Sequence, residues 1–203
     1  MTELKNLEAL REVYAQPSDL SLRKELDHID RHSREFIARA PFVVIATADA
    51  EGWPDASPRG DAPGFVSVID EKRLHLPDRP GNNRLDSFQN LISNPKVALI
   101  FLVPGRLETL RVNGTARLLT DKELTARHAV AGKPARAIVE ITAASVYFQC
   151  GKALLRSALW QVERWPSLEG LATFAEALSD QIKGLDKAAS QSRLEKAYRD
   201  TLY

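Results

Sequence analysis

The spacing of apolar residues predicts helices at both ends of the chain. Residues 2–14 and 28–40 place Leu, Ile, Val and Phe at intervals of three and four, as amphipathic helices do. The segment AQPSDL separates these two helices, and Ser18 is predicted to cap a short helical turn there. From residue 167 onward, LEGLATFAEALSDQIKGL and QSRLEKAYRDTLY predict two more helices, which should pack on the rest of the chain or on a second copy of it.

The centre of the chain has the alternation and the β-branched runs of strands. FVVIATAD, ASPRGDAPGFVSVID, RLHLP, KVALIFLV, ETLRVNGTARLL and ARAIVEITAASVYFQC predict six strands, and KVALIFLV is apolar on both faces, which predicts burial on both. Two helices should interrupt them. One spans 85–92 with Asn83 as its N-cap, and the other lies in TDKELTARHA, where Thr120 and Glu123 have the spacing of a capping box. Strands and helices in this order, without regular βαβ alternation, predict a mainly β, α+β fold: an antiparallel barrel with helices at its mouth.

The charge balance and the cysteine content of the chain argue against several kinds of binding partner. The 28 Lys and Arg residues nearly balance 27 Asp and Glu residues, so the chain lacks the excess positive charge of non-specific nucleic-acid binders. A single cysteine, Cys150, excludes an internal disulfide and indicates a reducing compartment. The charged N-terminus does not resemble a signal peptide, and no apolar run reaches membrane-spanning length. We therefore expect a cytoplasmic protein with neither nucleic-acid nor membrane partners.

Common motifs for metal and dinucleotide binding are missing from the sequence. His28 and His32 are four residues apart, but no downstream motif completes a metal site, and we expect none. The sequence contains no Gly-x-Gly-x-x-Gly, no Walker loop and no Gly-x-Ser-x-Gly elbow. A Rossmann-type dinucleotide site is therefore not supported.

The loop DRPGNNRLDS, residues 78–87, has the chemistry of an anion site. A surface turn needs Pro80-Gly81, but it does not need an arginine on either side. Arg79, Arg84 and the free N–H groups of the following helix all suit an anion, and phosphate is the first choice.

Several motifs in order resemble those of a known family. FVVIATAD, GWPDASPRGD, LHLPDRPGNNRLDSFQNLISNPKVALIFLVPG and ETLRVNGTARL, within residues 36–160, resemble the FMN-binding split-barrel proteins of the pyridoxamine 5'-phosphate oxidase-related superfamily. The resemblance is to the branch with SPRGD and DRPGNNR motifs. It implies a six-stranded antiparallel split β-barrel, a homodimer, and FMN at the subunit interface. The chain would then divide into an N-terminal helical extension at 1–40, an FMN-binding split-barrel domain at 41–160 and a C-terminal helical extension at 161–203.

The resemblance also implies which residues hold the cofactor. The phosphate is expected on the DRPGNNR loop, and the flavin ring and ribityl chain on the other motifs. The implied cofactor-binding residues are Ser57, Pro58, Arg59, Gly60, Leu76, Pro77, Asp78, Arg79, Asn82, Asn83, Arg84, Thr109 and Arg111. The implied candidates for flavin or substrate contact are Gln149, Lys152, Arg156 and Trp160, the last three at four-residue spacing on one predicted helix face.

Structural alternatives remain open for three of these groups. Arg59 lies in an Arg-Gly-Asp sequence that would also suit a solvated loop. Arg111 would also suit a cross-strand ion pair with an acid. Lys152 and Arg156 would also suit the solvated face of a helix that packs through its leucines.

The predicted function is that of an FMN-dependent oxidoreductase. Electrons would pass between a reduced nicotinamide, NADH or NADPH, and an unidentified small molecule. The flavin carries this chemistry, so no catalytic side chain is assigned. Pyridoxamine 5'-phosphate oxidation itself ranks lower, because the family's closing Arg-x-His-Asp-Arg-like segment is absent and the chain ends in EKAYRDTLY. The alternative is a non-catalytic protein that binds flavin, F420 or haem, and a weaker third hypothesis is an interaction protein that uses its C-terminal helices.

Overall fold

A computed structural model describes residues 3–203 as an antiparallel sheet with helices before, within and after it. Its strands are β1 Phe42–Ala48, β2 Pro54–Gly60, β3 Ser67–Val68, β4 Arg73–Pro77, β5 Lys96–Leu102, β6 Thr109–Leu119 and β7 Ile138–Gln149. Its α-helices are α1 Leu7–Val13, α2 Asp19–Arg23, α3 Arg31–Ile37, α4 Asp86–Ser93, α5 Lys122–Arg127, α6 Lys152–Ser157, α7 Phe174–Gln181 and α8 Lys187–Asp200. This arrangement confirms the mainly β fold with flanking helices.

The sheet has seven strands in the order β2-β1-β5-β6-β7-β4-β3, and every neighbouring pair is antiparallel. The prediction of six strands was wrong, because ASPRGDAPGFVSVID forms two strands and not one. Gly64 adopts a φ of 82° between them, in a turn that ends the first run before β3 begins. No strand pair within residues 3–203 joins β2 to β3, so the sheet is open at this seam.

Alternation along β1 and β5 builds the core. Val43 and Ile45 of β1, and Leu99 and Phe101 of β5, are completely buried, while the residues between them are half-buried. The prediction that KVALIFLV is buried on both faces was therefore wrong, since only its odd-numbered positions are buried. Each buried side chain of this kind contributes roughly 1.5–3 kcal/mol, so this single face supplies much of the stability.

A β-bulge in β7 changes which residues face the core. Gly114 of β6 pairs with Ala143 while Asn113 pairs with Ser145, so Ala144 has no partner. Before the bulge the inward residues of β7 are odd-numbered, and after it they are even-numbered. A Cβ atom on Gly114 would lie 2.0 Å from the carbonyl oxygen of Thr142, so glycine is required there.

The predicted helices near the N-terminus exist but are shorter. The helix expected over 2–14 spans Leu7–Val13, and residue 2, where the prediction began, lies outside the described residues. The helix expected over 28–40 spans Arg31–Ile37. The predicted cap at Ser18 is confirmed, because its hydroxyl accepts a hydrogen bond from the backbone N–H of Ser21 at 3.3 Å.

Two other predicted caps were wrong. Asn83 does not cap α4, whose N-cap is Leu85 in a left-handed conformation without a side-chain hydrogen bond. Asp121, one residue beyond Thr120, caps α5 by accepting from the N–H of Leu124 at 2.9 Å. Both errors arise because the fold sets the angle at which the chain enters each helix, and local spacing does not record that angle.

The C-terminal residues return to the sheet domain. Helices α7 and α8 pack on each other. Beyond them, the Tyr203 hydroxyl donates to Asp61 at 2.8 Å, and Lys133 Nζ donates to the Tyr203 carbonyl oxygen at 2.7 Å. None of the helices within residues 3–203 is long and apolar enough to cross a membrane.

Candidate functional site

A cavity of about 320 Å³ lies where β2, the end of β4 and the start of α4 meet. Strands β2 and β4 are five places apart in the strand order, yet both line this cavity, so the open sheet must curl. The lining residues come from four segments of the chain. They are Asp55, Ser57, Pro58, Arg59, Gly60, Phe65, Pro77, Asp78, Arg79, Pro80, Gly81, Asn82, Asn83, Arg84, Leu85, Asp86, Ser87, Phe88 and Arg136.

The cavity brings together the two motifs that the sequence analysis selected. From the SPRGD motif it has Ser57, Pro58, Arg59 and Gly60, and from the DRPGNNR region it has Pro77, Asp78, Arg79, Asn82, Asn83 and Arg84. Leu76 does not line it and belongs to the core, where it is 1% exposed. Its side chain is thus not available to a ligand in this cavity.

Gly60 lies at the end of β2, and the fold itself does not require glycine there. A Cβ atom would sit 3.4 Å from the Pro41 carbonyl oxygen, an ordinary contact. The Phe42 side chain would lie 3.7 Å from the same Cβ atom, so the protein itself fills the space on this side of the Gly60 backbone.

Arg79 is bound into the protein framework. Its Nε donates to Asp61 at 2.7 Å and its Nη1 donates to the His128 carbonyl oxygen at 2.8 Å. Burial opposes ionisation of Asp61, but hydrogen bonds from the Ala62 N–H, Arg79 and the Tyr203 hydroxyl outweigh it, so the pKa of Asp61 is lowered. The charge of Arg79 is thus already compensated by a carboxylate whose side chain is 2% exposed.

Arg84 also has a carboxylate partner, but at the surface. Its Nε donates to Asp86, the first residue of α4, and 77% of its side chain is exposed. The Asn82 side chain accepts from the backbone N–H of Arg84 at 3.0 Å, which shapes the loop. An anion that binds Arg84 must compete with Asp86 and with water.

Arg59 differs from these two arginines because no carboxylate lies within 4 Å of it among residues 3–203. Its Nη1 donates to Ser57 Oγ and, at 3.0 Å, to the Pro58 carbonyl oxygen. Burial lowers the pKa of Arg59, and the attraction of Asp78 and Asp55, which acts in the opposite direction, is too weak to cancel this effect. A half-buried cation with only neutral partners is suited to bind an anion.

Arg136 is a lining residue that the sequence analysis missed. Its Nη1 donates to Asn83 Oδ1 at 2.9 Å, and in the described part of the chain no carboxylate lies within ion-pair distance of it. No motif surrounds it. Strand pairing brings Arg136 to the cavity. Pro77 of β4 pairs with Ile138 of β7, and the Asp78 N–H donates to the Ala137 carbonyl oxygen at 2.9 Å.

Asp78 lies among these cations, and no side chain among residues 3–203 donates a hydrogen bond to its carboxyl. Burial raises its pKa, and the attraction of Arg59, Arg136 and Arg79 only partly offsets this. Protonation of this carboxyl is therefore easier than for an exposed aspartate, which reduces repulsion of an anion in the cavity.

The loop between β4 and α4 is conformationally strained. Asn83 and Leu85 have φ values of 58° and 60°, in the left-handed region that side chains with a Cβ atom seldom adopt. Asparagine tolerates this region, but leucine does so at a cost of about 1–2 kcal/mol. Strain of this kind concentrates at ligand sites, which is consistent with a functional loop.

Thr109 and Arg111, on β6, do not line this cavity. Thr109 is buried, and Arg111 Nε is a buried donor with no hydrogen-bond partner in the part of the chain that the structure describes. The guanidinium carbon of Arg111 lies 5.4 Å from the ring centre of Tyr147, the residue opposite it on β7. The alternative of an ion pair does not hold, because Arg111 has no acidic partner within 4 Å among the described residues.

The last group of candidates lies away from the cavity. Gln149, Lys152 and Arg156 are exposed, and α6 ends at Ser157. Ala158 then turns the chain with a φ of 51°, so the prediction that Trp160 shares a helix face with the two cations was wrong. The indole N–H of Trp160 donates to the Arg106 carbonyl oxygen at 2.8 Å.

A buried charged cluster lies between β4 and β7. His75 Nε2 is 3.0 Å from Glu140 Oε2, and Arg117 Nε donates to Glu140 Oε1 at 2.7 Å. The His128 ring packs edge-on against His75, with ring centres 5.6 Å apart. Within residues 3–203, no group of three or more His, Cys, Asp or Glu side chains is placed to hold a metal ion.

Comparison with known proteins identifies the family. The pyridoxamine 5'-phosphate oxidase family model matches residues 29–150, which is more than half of the chain. The chain therefore belongs to the pyridoxamine 5'-phosphate oxidase family. None of the curated proteins matches it.

Several solved structures are similar to this chain. HupZ of Group A Streptococcus is 22% identical, with a TM-score of 0.49, over 60% of this chain and 94% of that one. A Clostridium acetobutylicum protein related to general stress protein 26 is 18% identical, with a TM-score of 0.46, over 59% and 86%. An FMN-binding protein from Syntrophomonas wolfei is 14% identical, with a TM-score of 0.43, over 70% and 95%.

Proposed function

We propose that the cavity binds FMN without a covalent bond and that the protein is a flavin-dependent oxidoreductase acting on a small molecule. One observation carries this proposal. The SPRGD and DRPGNNR motifs, which belong to β2 and to the loop after β4, line one cavity in a chain that belongs to the pyridoxamine 5'-phosphate oxidase family.

The donor set of the cavity fits the phosphate end of FMN. A phosphate dianion needs fork-shaped guanidinium donors, and Arg59 and Arg136 offer them without a competing carboxylate within 4 Å among residues 3–203. The cavity volume of about 320 Å³ is at the lower end of the 300–1,000 Å³ typical of small-molecule sites. A complete flavin site would therefore need additional surface.

We propose that a second copy of the chain supplies that surface. The residues on β6 that the family resemblance assigns to FMN, Thr109 and Arg111, lie outside the cavity of their own chain. Arg111 Nε is buried and has no hydrogen-bond partner within residues 3–203, which supports a role for it at a site completed by another molecule. The proposed assembly is a homodimer in which residues 41–160 hold the flavin and the helical segments 1–40 and 161–203 flank it.

The protein's own residues would bind and orient the ligand. FMN, when bound, supplies hydride and single-electron chemistry. Arg59 and Arg136 would fix its anionic end, and Ser57, Pro58 and Gly60 would line the space beside the remainder. Asp78, with its raised pKa, would hold a proton more readily when a negative group lies beside it.

An absorption spectrum with mass identification of the extracted chromophore tests the binding proposal. The purified protein, or the apoprotein titrated with FMN, should show the visible absorption bands of oxidised flavin, and the extracted chromophore should have the mass of FMN. A protein that takes up F420 or haem but not FMN would overturn the proposal and favour the alternative ligand.

Reduction by nicotinamides tests the enzyme proposal. The flavin bands should bleach when NADH or NADPH is added without oxygen and return when air is admitted. Flavin that stays oxidised with both donors would instead indicate a non-catalytic binding protein.

A further inference from the structure

Arginines surround the candidate cavity, and they differ in what they already bind. Arg79 and Arg84 each donate to a carboxylate, Asp61 and Asp86 respectively. An anionic ligand gains little from a cation whose charge is already compensated, because the existing partner must be displaced or shared. The arginines with only neutral acceptors, Arg59 and Arg136, are therefore the ones available to a ligand.

Arg136 reaches the cavity from a different segment of the chain than the SPRGD motif of β2. It belongs to the segment before β7 and is exposed, so a ligand can reach it without any change in the core. Among residues 3–203, its guanidinium uses one of its five N–H donors, in the 2.9 Å hydrogen bond to Asn83 Oδ1. The remaining donors are free to form a two-pronged contact with an oxyanion.

We propose that Arg136 is a direct ligand of the anionic group bound in this cavity and that, with Arg59, it distinguishes phosphorylated from unphosphorylated ligands. This inference rests on the proposed flavin site and deepens it. Arg79 then has a framework role, and Arg84 contributes as an exposed charge. The hydrogen bond to Asn83 orients Arg136 and also supports the left-handed conformation of Asn83, whose φ is 58°.

The test compares FMN with riboflavin, which lacks the phosphate. Dissociation constants for both should be measured by quenching of flavin fluorescence with the wild-type protein and with Arg136→Gln. We expect Arg136→Gln to weaken FMN binding by about 10- to 100-fold and to leave riboflavin binding unchanged, as expected for loss of a charged hydrogen-bonded pair. An unchanged ratio of FMN to riboflavin affinity would overturn the proposal.

Two further variants control for indirect effects. Arg39→Gln removes another exposed arginine whose hydrogen bond goes to a backbone carbonyl, that of Glu35 at 2.7 Å, and should leave both affinities unchanged. Asn83→Gly tolerates the left-handed backbone but removes the contact with Arg136. If Asn83→Gly weakened FMN binding while Arg136→Gln did not, the loop and not Arg136 would hold the anion, and direct ligation would be wrong.

Inorganic phosphate separates this inference from the flavin proposal. A ligand that binds only the folded protein raises its thermal unfolding temperature. We expect phosphate to raise that temperature for the wild-type protein and for Arg39→Gln but not for Arg136→Gln. If the wild-type protein bound neither flavin but showed this pattern, the flavin proposal would fail while the anion site stood. Equal stabilisation of all three proteins would overturn the anion site as well.

Discussion

Identical side chains around the cavity have different roles because their surroundings differ. The Arg79–Asp61 pair is nearly buried, with 17% and 2% of the two side chains exposed, whereas most of Arg84 is in solvent. Removal of one partner from a buried pair leaves an uncompensated charge, while an exposed pair contributes little. Sequence alone assigned both arginines to the phosphate, because it could not show which of them already had a partner.

Asp61→Asn should therefore destabilise the protein strongly. We expect a loss of about 3 kcal/mol in the free energy of unfolding, measured by urea denaturation, since Arg79 would remain buried without its anion. Asp86→Asn is the matched control at an exposed pair and should have a much smaller effect. Equal effects of the two substitutions would contradict the framework role of Arg79.

Glu140 should make stability depend on pH. Burial opposes its ionisation, but hydrogen bonds from His75 and Arg117 outweigh burial, so its pKa lies below the ordinary 4.5. On acidification the unfolded chain takes up this proton first, so the stabilisation is complete well above pH 4.5 and is lost as the pH falls through the lowered folded-state pKa.

The measurement is the free energy of unfolding between pH 7 and pH 3 for the wild-type protein and for Glu140→Gln. We expect Glu140→Gln to be less stable at pH 7 and to show a shallower decline with acid, because it has no proton to gain at this position. A variant whose pH profile ran parallel to that of the wild type would show that Glu140 does not contribute to the decline.

At the scale of elements, the sequence predicted which segments form strands and helices better than it predicted their ends. The apolar alternation of β1 and β5 follows from residues that are adjacent in the chain. The failed caps at Asn83 and Thr120, and the two-residue strand β3, depend on where distant segments place the backbone. Arg136 escaped notice for the same reason, since the pairing of β4 with β7 brings it to the cavity.

The entry to α4 offers a test of strain. Leu85 has a φ of 60° and is 48% exposed, so Leu85→Gly would relieve the left-handed penalty with limited loss of packing. We expect the free energy of unfolding to rise by about 0.5–1 kcal/mol in chemical denaturation. Leu171→Gly, at another exposed non-helical position but with ordinary φ, should not stabilise the protein. Destabilisation by Leu85→Gly would mean that the leucine side chain contributes more than its backbone costs.

At the scale of the whole molecule, the open sheet and the incomplete cavity favour a shared site. The homodimer was predicted from the family resemblance alone, because the apolar pattern of one chain does not indicate it. If one protomer supplies Arg59 and its partner supplies Arg111, then variants of the two residues should complement each other.

Mixing Arg59→Gln and Arg111→Gln protomers, after unfolding and refolding together, tests this arrangement. Random pairing gives mixed dimers in which one of the two sites has both arginines, so about a quarter of the wild-type FMN capacity should return. Each variant refolded alone is the control and should bind FMN weakly. Absence of any recovery, with mixed dimers present by mass spectrometry, would place both arginines in the site of one chain.

The unpaired residue Ala144 allows β7 to turn odd-numbered side chains inward on one side of the bulge and even-numbered ones on the other. A one-codon deletion of Ala144 would leave Ala143 opposite Gly114 and Ser145 opposite Asn113, so Val146 and Phe148 would still point inward. Deletion of Val146 instead would move Tyr147 and Gln149 to inward positions and turn Phe148 to the other face of the sheet. The bulge is consequently the place where β7 should tolerate the loss of one residue, whereas single-residue deletions beyond it should disrupt the core.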